Sequence, residues 1–374
     1  MTSAPVDDRD VEQPRDADDE EMPRVVITRE RALGFGVFVA ASIAFLYFVL
    51  PKISGGTSES IHNLGDGKPG WLVMGLVFEC LSFGGYVVLF RTVFVRGRTR
   101  IDWHASYEIT MAGVAATRLF AAAGAGGIAL TAWALRRSGM EARLVACRMV
   151  AFLALLYTVY MGSIVVFGLG LYFGLFNGPG PFAITVVPAI FALLLIGIFL
   201  AMSLLPGDAE RRITHWSGGT GRGARIMARV VTIPTSAATG VRTAIDLVRD
   251  REWGVLGAVG WWGFDIATLW ACFHAYGPDP PPFAVIVLAY FVGMLGNALP
   301  LPGGIGGVDG GMIGAFAALG VSSDYAISAV LTYRAFAFWL PTLPGAIAYF
   351  QLRRRVAAWR EENRTAKAAA VAQA

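Results

Sequence analysis

Between residues 32 and 350 the chain is a series of long apolar runs, broken by short segments that carry most of its arginines. The runs fall at roughly 32–50, 71–90, 110–135, 149–175, 183–205, 253–277, 282–319 and 326–350. At ~1.5 Å of rise per residue, a helix of ~20 residues crosses the ~30 Å hydrocarbon core of a bilayer. No water serves the backbone there, so an uninterrupted apolar segment must satisfy its own N–H and C=O groups, as a helix does. The expected fold class is all-α, a polytopic membrane protein. Composition points the same way: 55% of residues are hydrophobic, 16% are charged and mean hydropathy is +0.57. Soluble domains carry ~25% charged residues, so these values argue against a disordered chain and against an ordinary soluble enzyme. Glycine, at 45 residues, suits closely packed or broken membrane helices. Cys80, Cys147 and Cys272 form no CxxC pair and read as small core residues.

The net charge of +4 conceals a split. Residues 1–23 hold nine acids against Arg9 and Arg15, which leaves 29 bases and 18 acids in the rest. That acidic tail has little to bury and is expected to be disordered and cytoplasmic. The remaining bases report orientation, because cytoplasmic loops carry the excess of Arg and Lys. Arg24, Arg29 and Arg31 precede the first run, and Arg91, Arg96, Arg98 and Arg100 follow the second. Arg136, Arg137, Arg143 and Arg148 follow the third, so that run starts and ends on the cytoplasmic side. One span cannot do this. The run contains Ala121-Ala-Ala-Gly-Ala-Gly-Gly127, a poor helix interior. A re-entrant hairpin broken at Gly124–Gly127 resolves the conflict, provided the break is buried or lines a wet cavity.

The 206–252 loop is rich in arginine and cytoplasmic by the same rule. The Gly277-Pro-Asp-Pro-Pro-Pro282 and Gly320-Val-Ser-Ser-Asp324 segments carry no base. The run between them, broken by Pro300-Leu-Pro-Gly-Gly-Ile-Gly-Gly307, is therefore expected to be a second re-entrant hairpin, entered from outside. The last run ends at Arg353-Arg-Arg355 in the cytoplasm. The expected architecture is about six full spans plus two re-entrant helical hairpins, with repeat one at about 71–175 and an inverted repeat two at about 253–350. Glu79 and Asp265 stand in the first element of each repeat, Arg148 and Arg334 in the last, and both separations are 69 residues. Inverted repeats with broken helices are a feature of alternating-access transporters. The expected domains are a disordered tail over 1–23, a transmembrane domain over 24–355 that includes the basic loop 206–252, and a cytoplasmic tail over 356–374.

Ionisable groups inside spans are costly and tend to face a cavity or one another. Glu79, Arg118, Asp265, Asp309 and Arg334 are such groups. A guanidinium fork at Arg118 or Arg334 suits a phosphate, and the acids suit a cationic head group, a proton or the empty-state arginines. Structural ion pairing explains the same residues without a substrate. The second glycine break, with Gly303 and Gly304, is a hairpin tip whose backbone N–H groups could face a phosphate; tight helix packing is its plainer reading. Trp261 and Trp262 read as packing or interface residues. No HExxH, no metal spacing among the four histidines and no phosphate loop occurs, so no cofactor is called for. Bases do not interleave with aromatics in a groove pattern, so nucleic acid is not an expected partner.

Asn297-Ala-Leu-Pro-Leu-Pro-Gly-Gly-Ile-Gly-Gly-Val-Asp309, followed by Gly320-Val, then by Leu331-Thr-Tyr-Arg-Ala-Phe-Ala-Phe-Trp-Leu-Pro341 and Gly345, resembles the lysylphosphatidylglycerol synthase transmembrane-region family. The likeness extends loosely over 30–350. The resemblance implies a flippase-like membrane domain that handles lipids with charged or glycosylated head groups, and adds Tyr333, of the tyrosine–arginine pair, to the candidate substrate-binding residues. The family usually has Glu where this chain has Asp309. Its first hairpin usually carries Gly-Glu and an Arg three residues on, where this chain has Gly127-Ile128 and Thr131. Too few residues follow 355 for a soluble aminoacyltransferase domain, so this chain is not expected to synthesise lysyl-lipid.

The expected function is translocation of a phosphate-bearing lipid or lipid-linked intermediate between leaflets, through a polar cavity between the two hairpins. The rivals are a small-anion transporter and a non-transporting partner of a separate lipid-modifying synthase; an enzyme is not expected, because no nucleophile sits beside a base. The expected partners are a membrane phospholipid or polyprenyl-linked lipid, anionic lipid at the basic loop, and a separate synthase or transferase. The expected place is the plasma membrane, with both termini cytoplasmic. Single-cysteine accessibility should place 136–147 inside and 320–325 outside. Labelling of 136–147 from outside would make the third run an ordinary span and remove the inverted repeat.

Overall fold

The computed structural model describes residues 66–96, 100–119, 125–203, 237–299 and 304–372. Helices α1 (Pro69–Phe94), α2 (Trp103–Leu119), α3 (Ala125–Arg137), α4 (Ala142–Tyr172) and α5 (Phe182–Ser203) form the first part. Helix α6 (237–249) leads through a 3-10 turn, Trp253–Leu256, into α7 (Gly257–Tyr276). Helix α8 (Phe283–Met294), a 3-10 turn (Leu295–Ala298), α9 (Gly307–Ala318), α10 (Ser323–Arg334), a π-helical turn (Ala335–Trp339) and α11 (Thr342–Ala372) complete the described chain. No strand occurs among the described residues. The all-α class is what the apolar runs require.

Five stretches are long and apolar enough to cross a membrane: Pro69–Phe94, Ala142–Tyr172, Phe182–Ala201, Trp253–Tyr276 and Ser323–Glu362. They coincide with five of the six expected full spans. The sixth, at 32–50, lies outside the described residues, as do the acidic tail, most of the basic loop, Gly124 and the 300–303 break. Prolines set several helix starts. Pro69 occupies the first turn of α1, and Pro282 immediately precedes α8; a fixed φ and a missing N–H cost nothing there. On α5, Leu193, Leu194, Ile198, Phe199 and Leu200 are all exposed, a surface suited to lipid rather than water.

The runs at 110–135 and 282–319 each fold as a pair of short helices. Helices α2, α3, α8 and α9 have 17, 13, 12 and 12 residues, so none exceeds ~26 Å at ~1.5 Å per residue. Each pair packs its own two arms, and each does so through facing glycines. A Cβ at Gly127 would strike the Gly113 carbonyl and the Thr117 hydroxyl; a Cβ at Gly296 would strike the Gly307 carbonyl. The pairs open at opposite ends of the bundle. At the arginine-rich end, Arg148 Nη1 at the start of α4 donates to the Phe94 carbonyl at the end of α1, at 2.7 Å, which brings the two flanks of α2–α3 together. At the other end, the Tyr325 hydroxyl donates to the Phe273 carbonyl at 2.6 Å, and Lys68 N–H donates to the Ala275 carbonyl at 3.0 Å.

Helices α1 and α7 form the central antiparallel pair. Ser82 Oγ donates to the Trp261 carbonyl at 2.7 Å, and Thr268 Oγ1 donates to the Gly75 carbonyl at 3.2 Å. Two cores flank this pair. One gathers Phe90, Phe94, Ile109, Leu135 and Leu352 from α1, α2, α3 and α11; the other gathers Phe273, Tyr290, Phe291, Phe316 and Tyr333 from α7 to α10. The boundary expected at 355 falls inside α11, which runs unbroken to Ala372. Trp359 is buried beyond that point, and Arg355 Nε donates to Glu108 Oε2 on α2 at 2.6 Å.

Close approach of α1 and α7 depends on Gly85, where a Cβ would lie 2.8 Å from the Trp261 backbone nitrogen. Gly85→Ala should therefore lower thermal stability in detergent by ~1–3 kcal/mol, the usual cost of overpacking. Gly162→Ala, on α4 with nothing within 4 Å, should be neutral or stabilising. Equal unfolding temperatures for the two variants would show that the pair does not depend on this contact.

Candidate functional site

Polar residues reach the centre because they share stripes on facing helices. Gly75, Glu79 and Ser82 lie on one face of α1, and Trp261, Asp265 and Thr268 lie on one face of α7, both at the spacing i, i+4, i+7. The antiparallel register that pairs 82 with 261 and 75 with 268 therefore sets Glu79 against Asp265. Both are buried, at 3% and 5% exposure. Asp265 Oδ2 accepts hydrogen bonds from the Tyr290 hydroxyl at 2.5 Å and the Tyr333 hydroxyl at 3.2 Å.

The π-helical turn supplies the second half of the site. Pro341 has no N–H to return to the Ala337 carbonyl four residues earlier, so the helix widens and leaves that carbonyl free. Arg118, at the end of α2, takes up this opening: Nη2 donates to the Ala337 carbonyl at 2.5 Å and Nη1 to the Phe338 carbonyl at 2.9 Å. Its guanidinium also lies 5.3 Å from the Phe338 ring centre, and that of Arg334 lies 4.8 Å from the same ring. The two arginines thus approach one aromatic ring, an arrangement worth up to ~2 kcal/mol per desolvated contact.

The arginines differ in their company. Arg334 Nε sits 2.6 Å from Asp309 Oδ1, an ion pair held by distance and charge rather than by a well-directed N–H. The other oxygen of Asp309 accepts the Gly306 N–H at 2.8 Å. Gly306 has φ +84°, a left-handed conformation that glycine adopts at no steric cost. Asp309 therefore ties the start of α9 to α10. Arg118 has no carboxylate within 4.0 Å among the described residues; its bonds go to the two carbonyls.

These groups surround a cavity of about 280 Å³. Both helical pairs and both central helices contribute to it: Glu79 and Tyr86, Thr117 and Arg118, Gly127 and Thr131, Trp261, Trp262 and Asp265, Asn297, Tyr333, Arg334 and Phe338. Ile128 lines it too and is 42% exposed, so the cavity reaches the surface beside α3. The stretch that stands in place of the family's first-hairpin charged pair thus forms one wall, with a hydroxyl at Thr131 as its polar group.

Of the candidate residues, Glu79, Arg118, Asp265, Tyr333 and Arg334 line the cavity. Asp309 stands behind Arg334 and does not line it. Gly304, with φ +67°, packs beside Asn297, and Gly303 lies outside the described residues. Arg148 is absorbed by the Phe94 carbonyl. Trp261 and Trp262 form cavity wall as well as packing, with Trp262 Nε1 donating to the Leu156 carbonyl at 2.9 Å. Sequence reasoning passed over Tyr290, Asn297 and Phe338 as site residues. Tyr290 carried a signal, as the one hydroxyl in the apolar helix Phe283–Met294. Phe338 carried none, since its place follows from the π turn.

Residues 27–345 match the family described as the lysylphosphatidylglycerol synthase TM region. Among curated proteins, the chain is similar to UPF0104 membrane proteins of Methanothermobacter thermautotrophicus. One alignment is 35% identical over 149 residues, covering 38% of this chain and 41% of the relative, less than half of that protein's length. Another is 22% identical over 307 residues, covering 79% of this chain and 90% of the relative. The match over 27–345 takes in both helical pairs, the π turn and every described residue of the cavity wall, and with it the chain belongs to the lysylphosphatidylglycerol synthase transmembrane-region family.

Proposed function

We propose that this protein moves a phosphate-bearing lipid between membrane leaflets, with the head group passing through the cavity at Arg118. The observation that carries this reading is Arg118 itself. It is a guanidinium on the cavity wall, fixed in direction by two backbone carbonyls and without a carboxylate partner among the described residues. Two of its five N–H groups are used, which leaves donors in fork geometry for an anionic oxygen pair. A charge in this position is expensive unless a ligand completes it.

Size favours a head group over a whole lipid. A cavity of about 280 Å³ is at the low end of the ~300–1,000 Å³ range of ligand pockets. The acyl or prenyl chains then remain in the surrounding bilayer, and the surface opening beside Ile128 is their point of exit. In this reading the arginine-rich end of the bundle is cytoplasmic, and α2–α3 and α8–α9 are re-entrant hairpins entered from opposite leaflets. Their arms meet at close glycine contacts, an interface along which a hairpin can shift against its neighbours. The membrane would be the plasma membrane.

The test is a leaflet-resolved assay of fluorescent phosphatidylglycerol in proteoliposomes. Arg118→Ala should slow crossing about ten- to a hundred-fold, because the lost charge-assisted bonds are worth ~1.5–3 kcal/mol and each ~1.4 kcal/mol is tenfold. Arg118→Lys should recover little, since a point charge does not replace the fork. Crossing at the wild-type rate by folded Arg118→Ala protein would remove the head-group site.

Asp309 should behave differently. Asp309→Asn leaves Arg334 without its counter-ion and weakens the cap at Gly306, so thermal stability should fall while the remaining folded molecules still move lipid. Asp309→Glu should be tolerated better. Unchanged stability with lost transport would instead place Asp309 in the transport step.

A further inference from the structure

Two buried oxygens at the centre of the cavity have no hydrogen-bond donor: Oε2 of Glu79 and Oδ1 of Asp265. They belong to carboxyl groups within hydrogen-bonding reach of one another, on helices whose register brings residues 79 and 265 face to face. Two ionised carboxylates are acceptors only, and neither can satisfy the other. A single proton placed between them turns one into a donor and satisfies both oxygens at once, as in other carboxyl pairs that share a site.

The groups around the pair fix its charge balance. Arg118 approaches from α2, Tyr290 from α8, Tyr333 and Arg334 from α10, and Cys272 from α7 itself. From α4, the Tyr160 hydroxyl is spent on the Phe291 carbonyl at 2.8 Å. Asp309 reaches the cluster through Arg334. Three carboxyl groups therefore face two guanidinium groups, and full ionisation leaves one surplus negative charge away from water. One proton removes it. An anion that then binds at Arg118 restores the surplus, and a second proton on the pair removes it again.

We propose that Glu79 and Asp265 form a proton-binding site, which shares one proton when the cavity is empty and takes up a second when a monoanionic head group occupies Arg118. The second proton comes from water in the cavity and leaves with the anion on the far side. The only bonds exchanged are O–H bonds, between water and the carboxyl pair. The coupling rests on the head-group reading of Arg118; the shared proton does not. It supplies a driving force for a protein with no nucleotide site in its sequence, and gives it a sign: anion and proton travel together, toward the more alkaline compartment.

The shared proton is tested by infrared spectroscopy of the full chain in phosphatidylcholine nanodiscs at neutral pH. The wild type should show a protonated-carboxyl C=O band that shifts in heavy water. Glu79→Gln and Asp265→Asn should each abolish it, because the amide donates to the remaining carboxylate. A wild-type spectrum without the band overturns the proposal, whatever the variants do.

Coupling is tested with fluorescent phosphatidylglycerol in proteoliposomes under a pH step. One unit should bias the steady distribution toward the alkaline side by up to about tenfold, the limit for one proton per lipid, and Glu79→Gln should abolish the bias. Crossing that ignores the pH step overturns the coupling. A carboxyl band with no crossing of the labelled lipid overturns the translocation reading instead and leaves the proton site standing.

Discussion

The cost of keeping ionised groups away from water organises the centre of this protein. Two guanidinium groups and three carboxyl groups converge where α1, α2, α7, α9 and α10 meet, and three different devices compensate them. Arg334 has a carboxylate, Arg118 has backbone carbonyls and an aromatic face, and Asp265 has two tyrosine hydroxyls. Removing any one compensation leaves a buried charge whose desolvation is no longer offset, a cost of several kcal/mol rather than the net worth of one contact. The cluster therefore fixes the relative placement of both helical pairs and the central helices as a unit.

Backbone irregularity is the means by which compensation reaches Arg118. A regular helix offers no free carbonyl in mid-span, because each is bonded four residues on. Pro341 withdraws one of those bonds, the chain widens into a π turn, and the freed carbonyls face α2. The same logic applies at the second pair, where Gly306 turns left-handed and its N–H is met by Asp309. Each departure from regular helix thus meets a charged side chain, Arg118 of α2 at the π turn and Asp309 of α9 itself at Gly306. Arg118 ties α2 to the π turn after α10, and Asp309, through Arg334, ties α9 to the end of α10.

The two halves are alike in plan and unlike in chemistry. Each has a central helix with a mid-span acid and a short helical pair closed by facing glycines. The first pair contributes Arg118 together with Gly127 and Thr131, whereas the second contributes Asp309 and Asn297. Glu79 and Asp265 come together because their positions fall opposite one another in the antiparallel register of α1 and α7. The outer helices have no such meeting: Arg148 ends at the Phe94 carbonyl, while Arg334 enters the cavity.

Periodicity and charge by themselves determined the all-α class, the positions of the long helices, the two broken runs and the five ionisable groups at the centre. These features follow from local rules: an apolar run must be helical in lipid, glycine-rich strings interrupt helices, and a charge within a span needs a reason. Tertiary structure alone decided which charge meets which. The distance from Arg118 to Asp309 or Glu79 depends on helix crossing and register, and these are set by contacts such as Gly85 against the Trp261 backbone, which involve residues far apart in the chain. It also decided that Asp309 stands behind the cavity wall, that Tyr290 reaches Asp265, and that Phe338 lies beneath both arginines. A π turn shifts every following side chain around the helix axis, so the face that Phe338 presents cannot be read from a spacing of 3.6 residues. Sequence spacing carries the period of a regular helix; it does not carry the place where another helix makes that helix irregular.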